Sequence, residues 1–163
     1  MGEIDYVVPR VSVEWNGKLD LKEVYTFIKG WLVDKKYDLA ENEYSNTETE
    51  EGNILHVRWW AFKKIDDYSK FNIDVIFTGK KLKVVNAKKH VLIEGDINID
   101  FESYIERDYE NVWGVRPGQR FIREVMDKFF LKGRFDKYHE ELREETLTLR
   151  EEIKKHLNAL DYK

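Results

Sequence analysis

The chain has 163 residues, a formal net charge of −4 from 28 Lys and Arg against 32 Asp and Glu, and no cysteine. These numbers exclude disulfides, thiolate metal sites and a cysteine nucleophile, and a net-negative chain exerts no global pull on nucleic acid. Five Trp, nine Tyr and nine Phe are incompatible with a disordered chain, and the length suits one domain with a real core.

The lack of cysteine fits a reducing, cytoplasmic setting, and with the Lys/Glu richness it also fits a thermophilic protein. No basic region leads into an apolar run at the N-terminus, and no window approaches roughly 18 apolar residues. Neither a leader nor a transmembrane segment is therefore expected.

In chain order, Val7, Pro9, Val11, Val13 and Trp15 alternate with polar neighbours, the period of a half-buried strand. Pro9 lacks a donor, which places this strand at an edge or starts it there. Asn16-Gly17 is a turn signal, and Asp20 with Glu23 three residues on forms a helix N-terminus. The helix runs over about 21–36, with Val24, Phe27, Ile28, Trp31 and Leu32 at spacings of three and four. Gly30 inside it marks a break or a close approach to the sheet. The polar stretch Asp38–Glu51 reads either as a loop or as an edge strand turning at Glu51-Gly52-Asn53.

Ile54–Ile65 is a strand with large groups on both faces. Phe71–Phe77 follows, then a turn at Thr78-Gly79-Lys80-Lys81, a short strand Leu82–Val85 and another turn at Asn86–Lys89. His90–Glu106 keeps its alternation in phase across Gly95, so it predicts one long strand bent or bulged there.

From Pro117 to about Leu160 the chain reads as helix, opened by the proline. Its first part, to Leu131, presents a broad apolar face of core character. After Gly133 the apolar residues thin to a seam: Phe135, Tyr138, Leu142, Leu149, Ile153 and Leu160, with a stutter near Thr146. A straight helix of this length spans roughly 60 Å, against about 30 Å for a domain of this size. It must bend at Gly133 or project.

The elements predict an α+β domain: a curved antiparallel sheet of about six or seven strands, one N-terminal helix, and a long C-terminal helix packed on the sheet and extended or bent beyond Gly133. Residues 1–133 form the domain and 134–163 a charged helical extension of it. This order of elements resembles the helix-grip fold of the START and Bet v 1-like superfamily, in which a sheet wraps a C-terminal helix. The resemblance implies a pocket for an apolar small molecule or lipid. Its lining would come from Trp59, Phe71, Ile73, Val75 and Phe77, from Ile99, Phe101 and Trp113, and from Val125 and Phe129 on the helix. The alternative reading of the same aromatics is a filled core. A sheet with both helices on one face is the rival architecture.

No catalytic motif, cofactor signature or metal-ligand spacing occurs. His56, His90, His139 and His156 read as structural or surface groups. The ladder Glu94, Asp96, Asn98, Asp100 and Glu102 reads as a solvated strand face, with a divalent cation as the alternative. Lys80, Lys81, Lys83, Lys88 and Lys89 form one basic patch, and Arg116, Arg120 and Arg123 another at the helix start. Both could hold anions, or simply protect a sheet edge. The expected function is that of a non-enzymatic protein-interaction or assembly module. It would dock a protein partner, or a second copy, through Phe135, Tyr138, Leu142, Leu149, Ile153 and Leu160. A START-like carrier is one alternative and an RNA- or ribosome-associated protein another, although nucleic acid is not favoured.

Overall fold

Strict apolar–polar alternation gives strands one face to bury, and the amphipathic helices supply the layer that buries it. The computed structural model describes residues 3–66, 68–87, 90–107 and 132–159. In order these are β1 (Glu3–Leu19), α1 (Leu21–Asp34), β2 (Asp38–Thr49), β3 (Gly52–Lys64), β4 (Ser69–Ala87), β5 (His90–Arg107) and α2 (Lys132–Ala159). The strands form one open five-stranded sheet in the order β1-β5-β4-β3-β2, and every neighbouring pair is antiparallel. β2 to β5 form a meander, and α1 carries the chain from one edge of the sheet to the other. No helix among the described residues is long and apolar enough to cross a membrane.

The strand count corrects the expectation of six or seven. Thr78-Gly79-Lys80-Lys81 is no turn: β4 runs through it, and β5 pairs with both sides of a bulge between Lys80 and Lys83. Lys81 absorbs the distortion with φ +55°. The bulge lies opposite Gly95, where an added Cβ would stand 2.7 Å from the Lys80 carbonyl oxygen and 2.9 Å from the Leu82 side chain. The glycine keeps β5 in phase because the extra residue is on β4, not on β5. Asn16-Gly17 is likewise read through, with Gly17 opposite Gly95 in the β1–β5 ladder. β1 carries two further register shifts between Tyr6 and Val11. Pro9 therefore sits in a bulged edge strand, and Val8 joins the buried side with Val13.

α1 begins as its cap predicts, with Asp20 accepting from the Glu23 amide at 3.2 Å. It buries Val24, Ile28 and Leu32. Gly30 is neither a break nor a close approach; nothing would meet a Cβ there within 4 Å. β2 settles the choice at Asp38–Glu51 in favour of an edge strand, exposed along most of its length.

The largest correction concerns α2. The segment after Gly133 is not an extension that the core can spare. Leu142, Thr146, Leu149 and Ile153 have no exposed surface, and Leu157 has 2 %. They join Val24, Ile28, Leu32, Phe71, Phe77, Ile99 and Phe101 in one cluster. A seam too narrow for a globular helix thus suffices because one side of α2 lies on β1 and β5 and against α1. At roughly 1.5–3 kcal/mol per large apolar side chain buried, this seam is a main support of the fold. Polar contacts fix its register. Tyr37 donates to Glu145 at 2.6 Å, Lys63 lies 3.4 Å from the same carboxylate, and His156 stacks on Phe27 with ring centroids 4.2 Å apart. Burial, reinforced by Glu145, pushes the Tyr37 hydroxyl pKa far above its ordinary value. The predicted helical half before Leu131 lies outside the described residues.

Candidate functional site

Because both described helices join one core cluster, the opposite face of the sheet is not covered by them. Antiparallel register aligns its side chains in rungs. Ser12, Asp100, Ile76, Arg58 and Glu43 form one rung, and Tyr104, Asn72 and Phe62 belong to another.

The middle of this face is largely paired within itself, although the buried Arg58 Nε has no hydrogen-bond partner among the described residues. Arg58 Nη2 meets Asp74 Oδ2 at 2.6 Å, and the Asp74 side chain is only 5 % exposed. Arg10 meets Glu102 at 2.6 Å. Trp60 Nε1 donates to Asn72 at 2.8 Å, Ser12 Oγ donates to Asp100, and His56 pairs with Glu43 at 3.0 Å. Lys70 lies over the Trp60 and Phe62 rings at 4.9 and 4.8 Å from their centroids, and Tyr6 packs against Tyr104. The electrostatics reflect this packing. Burial raises the Asp74 carboxyl pKa, although Arg58 pulls it back. The hydrogen bond to Asp74 is the main cause of a raised Arg58 pKa. Burial, then the Asp74 charge, pushes the Tyr104 hydroxyl up to about 12.

One rung further along from Ser12, Asp100 and Ile76, towards the β4 bulge, the character changes. Glu14, Asn98 and Thr78 form one rung and Asn16, Asp96 and Lys80 the next, on β1, β5 and β4. These side chains line a concavity of about 610 Å³, together with Trp15 and Ile97 of the intervening positions. Glu14, Asn16, Thr78, Lys80 and Asp96 make no side-chain hydrogen bond or ion pair among the described residues. Asn98 donates from Nδ2 to Asp100 at 2.9 Å. Its Oδ1 is buried and has no hydrogen-bond partner, a state that costs about 1–3 kcal/mol.

The concavity follows from local sequence. Extra backbone on β4 at Lys80–Lys83 kinks that strand, and Gly95, which carries no Cβ to meet the Lys80 carbonyl, lets β5 pass the kink. A smaller cavity of about 350 Å³ lies alongside, between β1 and α2, and shares Glu14 and Trp15. There Arg150 Nε donates to the Ser12 carbonyl at 3.0 Å, capping a free acceptor of edge strand β1.

Most of the residues singled out by sequence fall elsewhere; Lys80, Asp96 and Asn98 are the ones that line the concavity. Of the expected cavity lining, Phe71, Ile73, Val75, Phe77, Ile99 and Phe101 have no exposed surface and Trp59 has 4 %. No solvent-sized space touches the first six, and the filled core describes them. Trp113, Val125 and Phe129 lie outside the described residues. Of the expected partner-binding set, Leu142, Leu149 and Ile153 are buried in the chain's own core. This corrects their assignment: the sheet, not a partner, covers the seam. Tyr138 is half-buried and packs edge-on against Phe71. Leu160 lies outside the described residues, as does the Phe135 side chain.

Of the basic patches, Lys80, Lys81 and Lys83 are exposed around the bulge, and Lys80 alone of them lines the concavity. Lys88, Lys89, Arg116, Arg120 and Arg123 lie outside the described residues. The acidic ladder divides: Asp100 and Glu102 are paired, whereas Asp96 enters the concavity. No group of three or more His, Asp or Glu suited to a metal occurs among the described residues. Sequence reasoning missed Glu14, Asn16 and Thr78. The available signal was their placement beside Gly17 and Gly79, read there only as turns.

Compared with known proteins, the chain matches no family model, and no curated protein or solved structure is significantly similar to it.

Proposed function

We propose that the chain is a binding module for a small polar ligand, held on the open face of its sheet in the concavity between β1, β5 and β4. One observation carries this reading: five lining side chains without side-chain partners among the described residues, Glu14, Asn16, Thr78, Lys80 and Asp96, stand together in a concavity of about 610 Å³. That volume falls within the roughly 300–1,000 Å³ of small-molecule sites. At the centre of the same face Arg10 pairs with Glu102, Arg58 with Asp74 and Trp60 with Asn72. Binding rather than catalysis is favoured because no lining group is hydrogen-bonded to a base that would activate it.

Two other readings have less support. An assembly module docking through the helical seam would have to expose Leu142, Leu149 and Ile153, which the core holds. A START-like carrier, its sheet curved round the last helix, would need space beneath α2, where Phe71, Ile99 and Phe101 are fully packed.

The test is a protein-observed NMR screen of the full chain against a mixed library of small polar and apolar compounds. Binding is expected to shift the amides of Glu14, Asn16, Thr78, Lys80, Asp96 and Asn98. Hits confined to the apolar compounds, with shifts centred on Phe71 and Phe101, would replace this reading with the carrier.

A further inference from the structure

We infer that the concavity takes an uncharged, polyhydroxylated ligand of the saccharide class. This inference rests on the binding reading above and narrows it. The argument begins with the charges. Glu14 and Asp96 present two carboxylates and Lys80 one ammonium. An anionic ligand brought against Lys80 meets both carboxylates, and a polycation brought against the carboxylates meets Lys80. Neither ion finds a site of one sign. Lys80 lies directly opposite Asp96 in the β4–β5 ladder, so each dilutes the other's field without a side-chain bond between them.

The hydrogen-bonding groups give the second half of the argument. The Glu14 and Asp96 carboxylates can only accept, whereas the Asn98 Oδ1 is buried away from solvent. Lys80 can only donate, while the Asn16 amide and the Thr78 hydroxyl can do either. Acceptors and donors stand together over the two rungs: Glu14 and Thr78 in one, Asn16, Asp96 and Lys80 in the other. A hydroxyl donates and accepts through one oxygen, so a ligand bearing several can satisfy both kinds of partner without carrying charge. Strand neighbours stand about 4.8 Å apart, and same-face residues along a strand are two rises of about 3.4 Å apart. Hydroxyls on opposite edges of one sugar ring can therefore engage neighbouring strands and both rungs together. Among the described residues the apolar part of the lining comes from Ile97, which is buried, and from Trp15, which is partly buried against the core.

The test titrates the full chain, by amide chemical shift and calorimetry, with maltotriose, cellotriose and mannotriose in one arm. Spermidine, glutamate and inorganic phosphate form the other. At least one trisaccharide is expected to shift the Thr78, Lys80, Asp96 and Asn98 amides and to saturate. Asp96→Ala is expected to weaken it by about tenfold or more, the scale of a lost hydrogen bond to a charged group. Asp96→Asn, which keeps an acceptor and removes the charge, is expected to retain most of the affinity. Thr78→Ala, at a position with no side-chain partner, gives a second variant that does not depend on the acid. If a charged probe binds those amides and no trisaccharide does, the ligand class is wrong and the site survives. Trisaccharide binding undiminished in both Asp96→Ala and Thr78→Ala would also overturn the inference, since neither group would then touch the ligand. If no probe of either arm shifts them, both the ligand class and the binding reading fall.

Discussion

The two faces of this sheet solve different problems with the same backbone. On the covered face, Phe71, Phe77, Ile99 and Phe101 meet Leu142, Leu149 and Ile153 with no exposed surface left. On the open face, charge and amide groups are matched in pairs at the centre and left unmatched at the β4 bulge. Removing water from apolar surface supports the fold, so the covered face is where stability should reside. Unpaired polar groups in a concavity add little to stability and remain available to a ligand. The comparison teaches that the charged C-terminal helix is structural despite its composition, and that the candidate site lies on the face that it leaves open.

The largest effect should come from the covered face. Leu149→Ala removes a fully buried side chain from α2 and should cost about 2–5 kcal/mol in urea unfolding. A cost near zero would mean that α2 is dispensable and would restore the seam as a docking element. Next comes the matched centre. Asp74→Ala strips Arg58 of its partner at 2.6 Å and should cost about 1.5–3 kcal/mol. Gly95→Ala tests the bend itself. Its Cβ would stand 2.7 Å from the Lys80 carbonyl oxygen, so a loss of about 1–3 kcal/mol is expected, as for overpacking, with altered amide shifts at Lys80 and Asp96.

The pH dependence of stability tests the matched centre of the open face. The Asp74 pKa is raised in the folded chain above its ordinary 3.8, so between those values the folded state binds more protons than the unfolded one. The stability this gives is complete below pH 3.8 and is lost as pH climbs through the raised value. Asp74→Asn should remove that slope from a series of urea midpoints. Tyr104 behaves alike at high pH: stability should fall as pH rises from 10.0 to about 12, and Tyr104→Phe should lessen the fall.

Much of the covered face was legible in the sequence, because alternation and helical spacing are direct consequences of burial. The phase of β5 across Gly95, the Asp20 cap and the apolar positions of α1 all followed from local pattern. Three features were not legible, for physical reasons. Asn16-Gly17 and Thr78-Gly79 have turn chemistry, but cross-strand pairing holds both in extended ladders; a window of sequence does not contain the partner strand. The seam of α2 has the narrow stripe of a coiled coil, and its spacing does not say whether a second helix or a sheet covers it. The site draws Glu14, Thr78 and Asp96 from three strands far apart in sequence, and only the register β1-β5-β4 assembles them. Asp96 and Lys80 were each visible as members of charged runs, one acidic and one basic, and nothing in either run indicated that they face the same concavity.

The most direct test of the division between the faces is a paired measurement on one variant, Glu14→Ala/Asp96→Ala, comparing urea unfolding with trisaccharide titration. Both side chains are exposed and without partners. The account predicts an unfolding free energy within about 0.5 kcal/mol of the parent chain, as for surface positions, together with loss of binding. A variant destabilised by more than about 1.5 kcal/mol, the scale of a lost charged hydrogen bond, would contradict it by making these groups structural. A stable variant that still binds with parental affinity would contradict it by placing the site elsewhere.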